Sequence, residues 1–267
     1  MIASLYQGTF SVGINGRFIP MKADAKPERN TLKLAVNPFL IHNNGFTALI
    51  DAGLGLFGPL DHYDLMIKNL KKHSLKPEDI QHVYCSHLHT DHIGGLLHEH
   101  SGTYDLTFPE ATIWLSGEDW ERFKNNAENK GHEEALNWAH FLESHTDLQF
   151  VEDRTPEPGS IRMKTIGGHT RYHQAVLYDG EGEKAMMLGD VLARPEAINR
   201  SFKSKIDYDG EKSQEIRDEY LRKALEEDYL ILTYHGDNGA MVRLKGYDQK
   251  KGYELESFAA GVAGQHS

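Results

Sequence analysis

The sequence predicts an α+β fold, a four-layer αβ/βα sandwich in which two β-sheets lie face to face and helices cover their outer faces. Two observations support this prediction. Strand and helix candidates follow one another in an order that suits layers of sheet and helix around an apolar core. Histidines and aspartates recur at or just after the ends of predicted strands, where rigid strands direct loop residues to a common point. A single central parallel sheet would contradict the prediction.

The first fifty residues have the pattern of β-strands. The apolar run Leu32–His42 is followed by the turn signal Asn43-Asn44-Gly45 and by a second apolar run, Phe46–Asp51, which together predict a β-hairpin. The charged segment Lys22–Asn30 contains Pro27 and predicts an irregular polar loop.

The rest of the chain alternates between the two hydrophobic periods, 3.6 residues for helices and 2 for strands. No stretch rich in Gly, Ser or Pro divides it, so we expect a single domain over residues 1–267. Helices are predicted at Asp61–His73, Glu118–Asn129, Glu133–Ser144 and Lys212–Glu227, and strands at Ile80–Cys85, Ala111–Ser116, Leu148–Glu152, Ile161–Ile166, Gln174–Tyr178, Ala185–Leu188 and Tyr229–Tyr234.

Composition narrows the possible functions. The net charge of −11 disfavours a nucleic-acid partner, because an acidic surface repels phosphates. No apolar run approaches the roughly 18 to 20 residues needed to cross a bilayer, and Met1–Phe18 lacks the pattern of a secretory signal. We therefore expect a cytoplasmic protein without a membrane partner. The lone cysteine, Cys85, excludes a disulfide within the chain and a thiolate cage, so a bound metal would need nitrogen and oxygen ligands.

The segment Ser86–Gly95, with the sequence SHLHTDHIGG, is the densest cluster of possible metal ligands. His87 and His89 are two residues apart, so in an extended segment they point to the same side. Asp91 and His92 continue into a turn and the start of a helix, which directs them to a second point nearby. Four ligands within six residues can therefore serve two metal ions, and the following glycines allow the backbone to pack closely beneath them.

This cluster resembles the defining His-x-His-x-Asp-His motif of the metallo-β-lactamase superfamily. The resemblance extends from about Leu32 to His235 and includes the family's early Asp-x-Gly element, its Gly-His-Thr turn, its Gly-Asp at a strand end and its final histidine. In this sequence these are Asp51-Ala52-Gly53, Gly168-His169-Thr170, Gly189-Asp190 and His235.

The resemblance implies a complete ligand set for two Zn²⁺ ions, with Mn²⁺ or Fe²⁺ as alternatives. Imidazole nitrogens and carboxylate oxygens are suitable ligands for these metals. Asp51 is expected to orient ligand histidines rather than to bind metal. The first ion is assigned to His87, His89 and His169, the second to Asp91, His92 and His235, and Asp190 is expected to bridge the two.

The function implied is a dinuclear zinc-dependent hydrolase that attacks a small ester or lactone through a metal-bridging hydroxide. Asp91 is the expected catalytic residue, passing a proton to the leaving group. His89 stands where flavodiiron proteins of this fold have glutamate, which disfavours redox chemistry. Asp190 disfavours a true β-lactamase, because those enzymes generally lack a bridging carboxylate.

A looser resemblance points to the branch that contains methyl parathion hydrolase and quorum-quenching lactonases, in which an Asp-x-Asp element and a helix with arginine precede the last histidine. Here these are Asp207-Tyr208-Asp209 and Arg217. Ala193 departs from the tyrosine common in short-chain lactonases.

The alternatives are a phosphotriesterase, a glyoxalase II-like thioesterase and a mononuclear-iron persulfide dioxygenase. Only 32 residues follow His235, which is too few for the C-terminal region of glyoxalase II. The sequence leaves open whether the chain forms a homodimer.

Overall fold

The computed structural model describes residues 1–13, 16–22, 24–43, 45–58, 62–151, 158–180, 182–237 and 239–258. The helices in these ranges are α1 (His62–Lys71), α2 (Thr90–Ile93), α3 (Gly117–Lys130), α4 (Glu133–His145) and α5 (Gly210–Glu226). The strands are β1 (Ile2–Ser4), β2 (Gly8–Val12), β3 (Phe18–Met21), β4 (Leu32–Val36), β5 (Phe39–Asn43), β6 (Phe46–Ile50), β7 (His82–Tyr84), β8 (Leu97–His100), β9 (Thr103–Leu106), β10 (Thr112–Leu115), β11 (Asp147–Phe150), β12 (Ile161–Thr165), β13 (Gln174–Gly180), β14 (Glu183–Met187), β15 (Leu230–Leu232), β16 (Met241–Asp248) and β17 (Gly252–Phe258).

Two six-stranded sheets form the centre of the fold. The first has the order β1-β5-β6-β7-β10-β11 and the second the order β12-β13-β14-β15-β16-β17. Strands β6, β7, β10 and β11 run parallel to one another, and β14 runs parallel to β15. Parallel neighbours end at the same edge of a sheet, so the loops that follow β6 and β7, and those that follow β14 and β15, lie next to each other.

Three apolar clusters separate the layers. One cluster lies between the sheets and combines residues such as Ile41 and Tyr84 of the first sheet with Val176 and Leu232 of the second. A second cluster packs α1, α3 and α4 on the outer face of the first sheet, and a third packs α5 on the outer face of the second. The predicted four-layer sandwich is therefore confirmed, and the central sheets are mixed rather than one parallel sheet.

The prediction of one strand over Leu32–His42 is wrong. The run divides into β4, which pairs with β2 in a separate three-stranded sheet, and β5, which pairs with β1 and β6. Asn37 and Pro38 make the break. Proline has no N–H to donate to a neighbouring strand, and the Asn37 side chain instead donates to the backbone oxygens of Tyr234 and Gly236, at 2.8 and 3.1 Å. The hairpin β5–β6 is confirmed; Asn44 of its turn lies outside the described residues.

The other predicted helices and strands are present with small differences at their ends; Asp61 and Glu152 lie outside the described residues. The structure adds the hairpins β8–β9 and β16–β17, which the patterns above do not predict. Within the described ranges, no helix is long and apolar enough to span a membrane.

Candidate metal centre

Seven histidines and aspartates meet at one edge of the sandwich, at the ends of strands from both central sheets. Four of them follow β7, and α2 begins within this group. The others come one each from the loops after β12, β14 and β15. They are His87, His89, Asp91 and His92 from the first loop, then His169, Asp190 and His235.

Four of these side chains form the first set. His87, His89, His169 and Asp190 each offer one ligand atom, and these atoms lie within 4.8 Å of one another. The Nδ1 atom of His89 is 2.9 Å from Nε2 of His87 and 3.2 Å from Nε2 of His169. The spacing of His87 and His89 therefore brings both rings to one point, and the distant His169 completes the group.

The remaining three side chains form the second set. Asp91, His92 and His235 offer ligand atoms that again lie within 4.8 Å of one another. Oδ2 of Asp91 is 3.7 Å from Nε2 of His92 and 3.6 Å from Nε2 of His235. All three residues are buried.

Asp190 lies between the two sets, and its two carboxylate oxygens face different histidines. Oδ2 is 3.4 Å from Nε2 of His169, in the first set. Oδ1 is 3.4 Å from Nε2 of His92 and 3.0 Å from Nε2 of His235, in the second. The turn that holds Asp190 requires glycine before it, because Gly189 has φ 47° and a Cβ there would lie 2.5 Å from Nε2 of His173.

The donor atoms fit divalent cations. A neutral imidazole carries one N–H, and Nδ1 of His235 is 2.7 Å from the backbone oxygen of Ala35, while Nδ1 of His92 is 2.6 Å from Oδ2 of Asp51. When Nδ1 donates, the Nε2 lone pairs point at carboxylate oxygens, an arrangement that needs a positive charge between them. Accordingly, among the described side chains, Nε2 of His92, Nε2 of His235 and Oδ1 of Asp190 are buried without a hydrogen-bond partner.

The electrostatics of the second set also favour a cation. Burial opposes a charged imidazole, but Asp91, Asp51 and Asp190 together raise the pKa of His92 well above its usual value. Burial likewise opposes charge on Asp190, yet His235 and His92 hold the pKa of this carboxyl well below its usual range. The Asp190 carboxylate is therefore ionised and attracts positive charge, as a metal-binding residue must.

Asp51 lies beneath the two sets and does not line them. Its backbone has φ 58°, a left-handed conformation that is unusual for a residue other than glycine. The carboxylate is fully buried and accepts hydrogen bonds from the backbone N–H of Ser86 and from Nδ1 of His92. This is the placement of a residue that orients a ligand histidine.

Contacts from three further residues support the site and were not predicted from the sequence. Oδ1 of Asp207 is 2.9 Å from Nδ1 of His169, and the backbone oxygen of Ala35 accepts from His235. The Tyr234 hydroxyl donates to the backbone oxygen of Asp91 at 2.6 Å, and the Tyr234 ring stacks on His92 with 4.0 Å between centroids. Asp207 belongs to the Asp-x-Asp element noted in the sequence, a signal that identifies the residue but not the histidine it contacts.

The lone cysteine and three further histidines lie outside the two sets. Cys85 is buried in the core beside the helices, and burial raises the pKa of its thiol well above the usual value, so it is a poor nucleophile. His173 is fully buried, with Nε2 at 3.0 Å from the backbone oxygen of Leu188. His98 and His100 lie on strand β8 of the β8–β9 hairpin.

Comparison with known proteins supports the assignment of this edge as a metal site. A sequence model of the metallo-beta-lactamase superfamily matches residues 32–235. A search of curated proteins gives no match.

Among solved structures, the chain is similar to hydrolase AbOPH of the beta lactamase superfamily, with a TM-score of 0.74, 20% identity, and coverage of 96% of this chain and 94% of that one. It is also similar to a probable metal-dependent hydrolase from Staphylococcus aureus (TM-score 0.72, 23% identity, 98% of each chain). A third similar structure is AidC, a dizinc quorum-quenching lactonase (TM-score 0.72, 19% identity, 97% of this chain and 93% of that one). At identities of 19 to 23%, these similarities show a shared fold and no more.

Proposed function

The chain belongs to the metallo-β-lactamase superfamily and is a metal-dependent hydrolase, and we propose that its site holds two Zn²⁺ ions and cleaves a small ester or lactone. The observation that carries this proposal is the position of Asp190. Each of its carboxylate oxygens faces a different set of histidines, so one residue can contribute to two neighbouring ions.

Each of the two sets of residues would bind one ion. His87, His89 and His169 would hold the first ion, Asp91, His92 and His235 the second, and Asp190 both. Bound zinc would supply Lewis acidity and an activated water at neutral pH. Two carboxylates offset part of the charge of two divalent cations, which favours zinc over trivalent metals.

Asp91 is suited to carry a proton. It is buried, and its Oδ2 lies beside His92 and His235. Tyr234 holds its backbone through the hydrogen bond to the Asp91 carbonyl oxygen, so the carboxylate is fixed at the site. During hydrolysis Asp91 would accept the proton released by the attacking water and transfer it to the departing oxygen.

The chain offers no better nucleophile than water. Cys85 is buried, and the sequence has no serine in a Gly-x-Ser-x-Gly setting. A covalent acyl-enzyme is therefore not part of the proposed reaction.

The substrate class is inferred from the surroundings of His169 and from the lactonase among the similar structures. The backbone N–H of Tyr208 donates to the His169 carbonyl oxygen, so the segment that contains Ile206 and Tyr208 lies beside the first set. Both side chains are about two-thirds exposed or more, at 71% and 67%. Exposed apolar side chains beside a metal site favour a small uncharged molecule over a nucleic acid.

A panel of substrates tests the proposal. Zinc-loaded and manganese-loaded protein would be assayed on acyl-homoserine lactones, aryl esters, phosphotriesters, phosphodiesters and S-lactoylglutathione. We expect hydrolysis of lactones or esters, two zinc ions per chain by elemental analysis, loss of activity on chelation and its recovery with zinc or manganese. Preference for phosphotriesters or S-lactoylglutathione would favour the phosphotriesterase or thioesterase alternatives. One iron per chain with persulfide oxidation would contradict the proposal.

Variants of two residues test the mechanism. Asp91→Asn should slow turnover far more than Cys85→Ala, because only Asp91 lies at the site. Hydrolysis that survives complete metal removal, or a burst that leaves a covalent acyl-enzyme, would contradict the mechanism.

A further inference from the structure

We propose that Ser86 is a positioning residue that links the Asp51 carboxylate to His87, so that this one carboxylate orients a histidine in each of the two metal-binding sets. The inference rests on the proposed two-metal site. Asp51 contacts His92 of the second set directly, and it is linked to His87 of the first set through the hydroxyl of Ser86.

The contacts form a continuous buried chain. Oδ2 of Asp51 lies 2.6 Å from Nδ1 of His92 and accepts the Ser86 hydroxyl at 2.8 Å. The same hydroxyl oxygen is 3.0 Å from Nδ1 of His87. Asp51, Ser86 and His92 are 0% exposed and His87 is 2% exposed, so water does not compete for these hydrogen bonds.

The number of protons fixes the direction of each hydrogen bond. If His87 presents the lone pair of Nε2 to a metal, its single N–H is on Nδ1 and must donate to the Ser86 oxygen. The hydroxyl of Ser86 has one proton, which then goes to Asp51. A serine can accept and donate at once, whereas an alanine would leave the His87 N–H buried without a partner.

The position of Ser86 is itself fixed by its backbone. Its N–H donates to Oδ1 of Asp51 at 2.7 Å, and its carbonyl oxygen accepts from the N–H of Gln174 at 2.8 Å. On the opposite side, a Cβ placed on Gly189 would lie 2.9 Å from the Ser86 hydroxyl oxygen. The hydroxyl is thus held between Asp51, His87 and the turn that precedes Asp190.

The experiment separates the two sets by removing one ion at a time. Zinc affinity would be measured by competition with a chelator in two backgrounds. His235→Ala disables the second set and keeps the first, and His169→Ala disables the first set and keeps the second. Ser86→Ala and Asp51→Asn would each be added to both backgrounds, with Cys85→Ala as the control, since Cys85 is the adjacent buried residue but packs in the core.

We expect Ser86→Ala to weaken zinc binding about 10- to 100-fold in the His235→Ala background, the range typical of a lost contact behind a metal ligand. In the His169→Ala background, the same substitution should change zinc affinity by less than about twofold, while Asp51→Asn should weaken zinc binding in both backgrounds. Cys85→Ala should change zinc affinity in neither background. Circular dichroism would verify that each variant is folded.

Equal affinities with and without Ser86→Ala, or equal losses in both backgrounds, would overturn the role of Ser86 and leave the proposed function intact. Wild-type protein that binds no zinc, or only one ion, would overturn the proposed function and this inference together. Failure of the two is therefore distinguishable.

Discussion

The imidazole Nδ1 of His169 lies 2.9 Å from Oδ1 of Asp207, a residue 38 positions later in the chain. Two backbone hydrogen bonds join the same segments, from Tyr208 N–H to the His169 oxygen and from Asp209 N–H to the Gly168 oxygen. Burial raises the pKa of the Asp207 carboxyl, but hydrogen bonds with His169, Ser213 and Ser204, together with the charge of His169, lower it below the usual value. Asp207 is therefore an ionised acceptor that fixes the His169 ring with Nε2 toward Asp190.

Asp207→Ala should weaken zinc binding at the first set about 10- to 100-fold, because it removes the acceptor that orients His169. Asp207→Asn should lose less zinc affinity, since an amide oxygen can still accept a hydrogen bond from Nδ1 of His169. Chelator competition would measure both. The control is Asp218→Ala, an exposed carboxylate on α5, and the prediction fails if Asp207→Ala binds zinc no more weakly than this control.

The sequence predicts which seven side chains the structure brings together at one edge of the sandwich. His87, His89, Asp91 and His92 follow one strand within six residues, and the other three were expected from motifs that the chain shares with the superfamily. Their supporting contacts could not be predicted, since these depend on how distant segments pack. The acceptor for His235 is 200 residues away on β4, and the donor to the Asp91 oxygen is 143 residues away.

The errors in the fold prediction have similar causes. The run Leu32–His42 is mostly apolar, and although it contains Asn37-Pro38, its periodicity does not show that the Asn37 side chain bonds to the distant loop at Tyr234 and Gly236. The hairpin β8–β9 contains charged and histidine side chains on its exposed face, which hides the strand pattern. In β16, Val242 and Leu244 alternate as strand residues do, but the polar, mostly exposed β17 has too few buried positions to show its pairing.

Asp190→Ala should bind at least one zinc ion fewer per chain, because one carboxylate faces both sets of histidines. Elemental analysis after dialysis against limiting zinc would measure the loss. Asp105→Ala, which removes an exposed carboxylate on β9, should keep the full complement. Two fully occupied sites in the Asp190→Ala protein would rule out a bridging role.

Gly95→Ala should destabilise the fold, because the backbone beneath the site leaves no space for a side chain. A Cβ on Gly95 would lie 2.0 Å from the carbonyl oxygen of Ala52, and backbone atoms cannot move aside as a flexible side chain can. We expect a loss of about 1 to 3 kcal/mol in the free energy of unfolding, the usual cost of overpacking. Urea denaturation would measure it against Gly246→Ala, where a Cβ meets nothing within 4 Å; equal stabilities for the two variants would refute the argument.

Arg217 joins α5 to the segment that follows Asp190, and its replacement should destabilise that connection. Although it is charged, Arg217 is only 1% exposed. Its guanidinium donates to the backbone oxygen of Val191 at 3.1 Å and to that of Phe202, and it lies 4.1 Å from the centroid of the Phe202 ring. Both ends of residues 191–202 are thus held by one side chain.

Arg217→Ala would leave these carbonyl oxygens without their donor and remove the packing on Phe202. The free energy of unfolding should fall by about 3 kcal/mol, since each buried unsatisfied group costs roughly 1 to 3 kcal/mol. The free energy of unfolding of Arg217→Lys should lie between those of the wild type and the alanine variant, because an ammonium lacks the planar fork that reaches two carbonyl oxygens at once. Arg222→Ala, an exposed arginine on the same helix, should change stability by less than about 0.5 kcal/mol. Urea denaturation of the three variants decides the matter: if Arg217→Ala is no less stable than Arg222→Ala, the guanidinium does not hold the 191–202 segment in place.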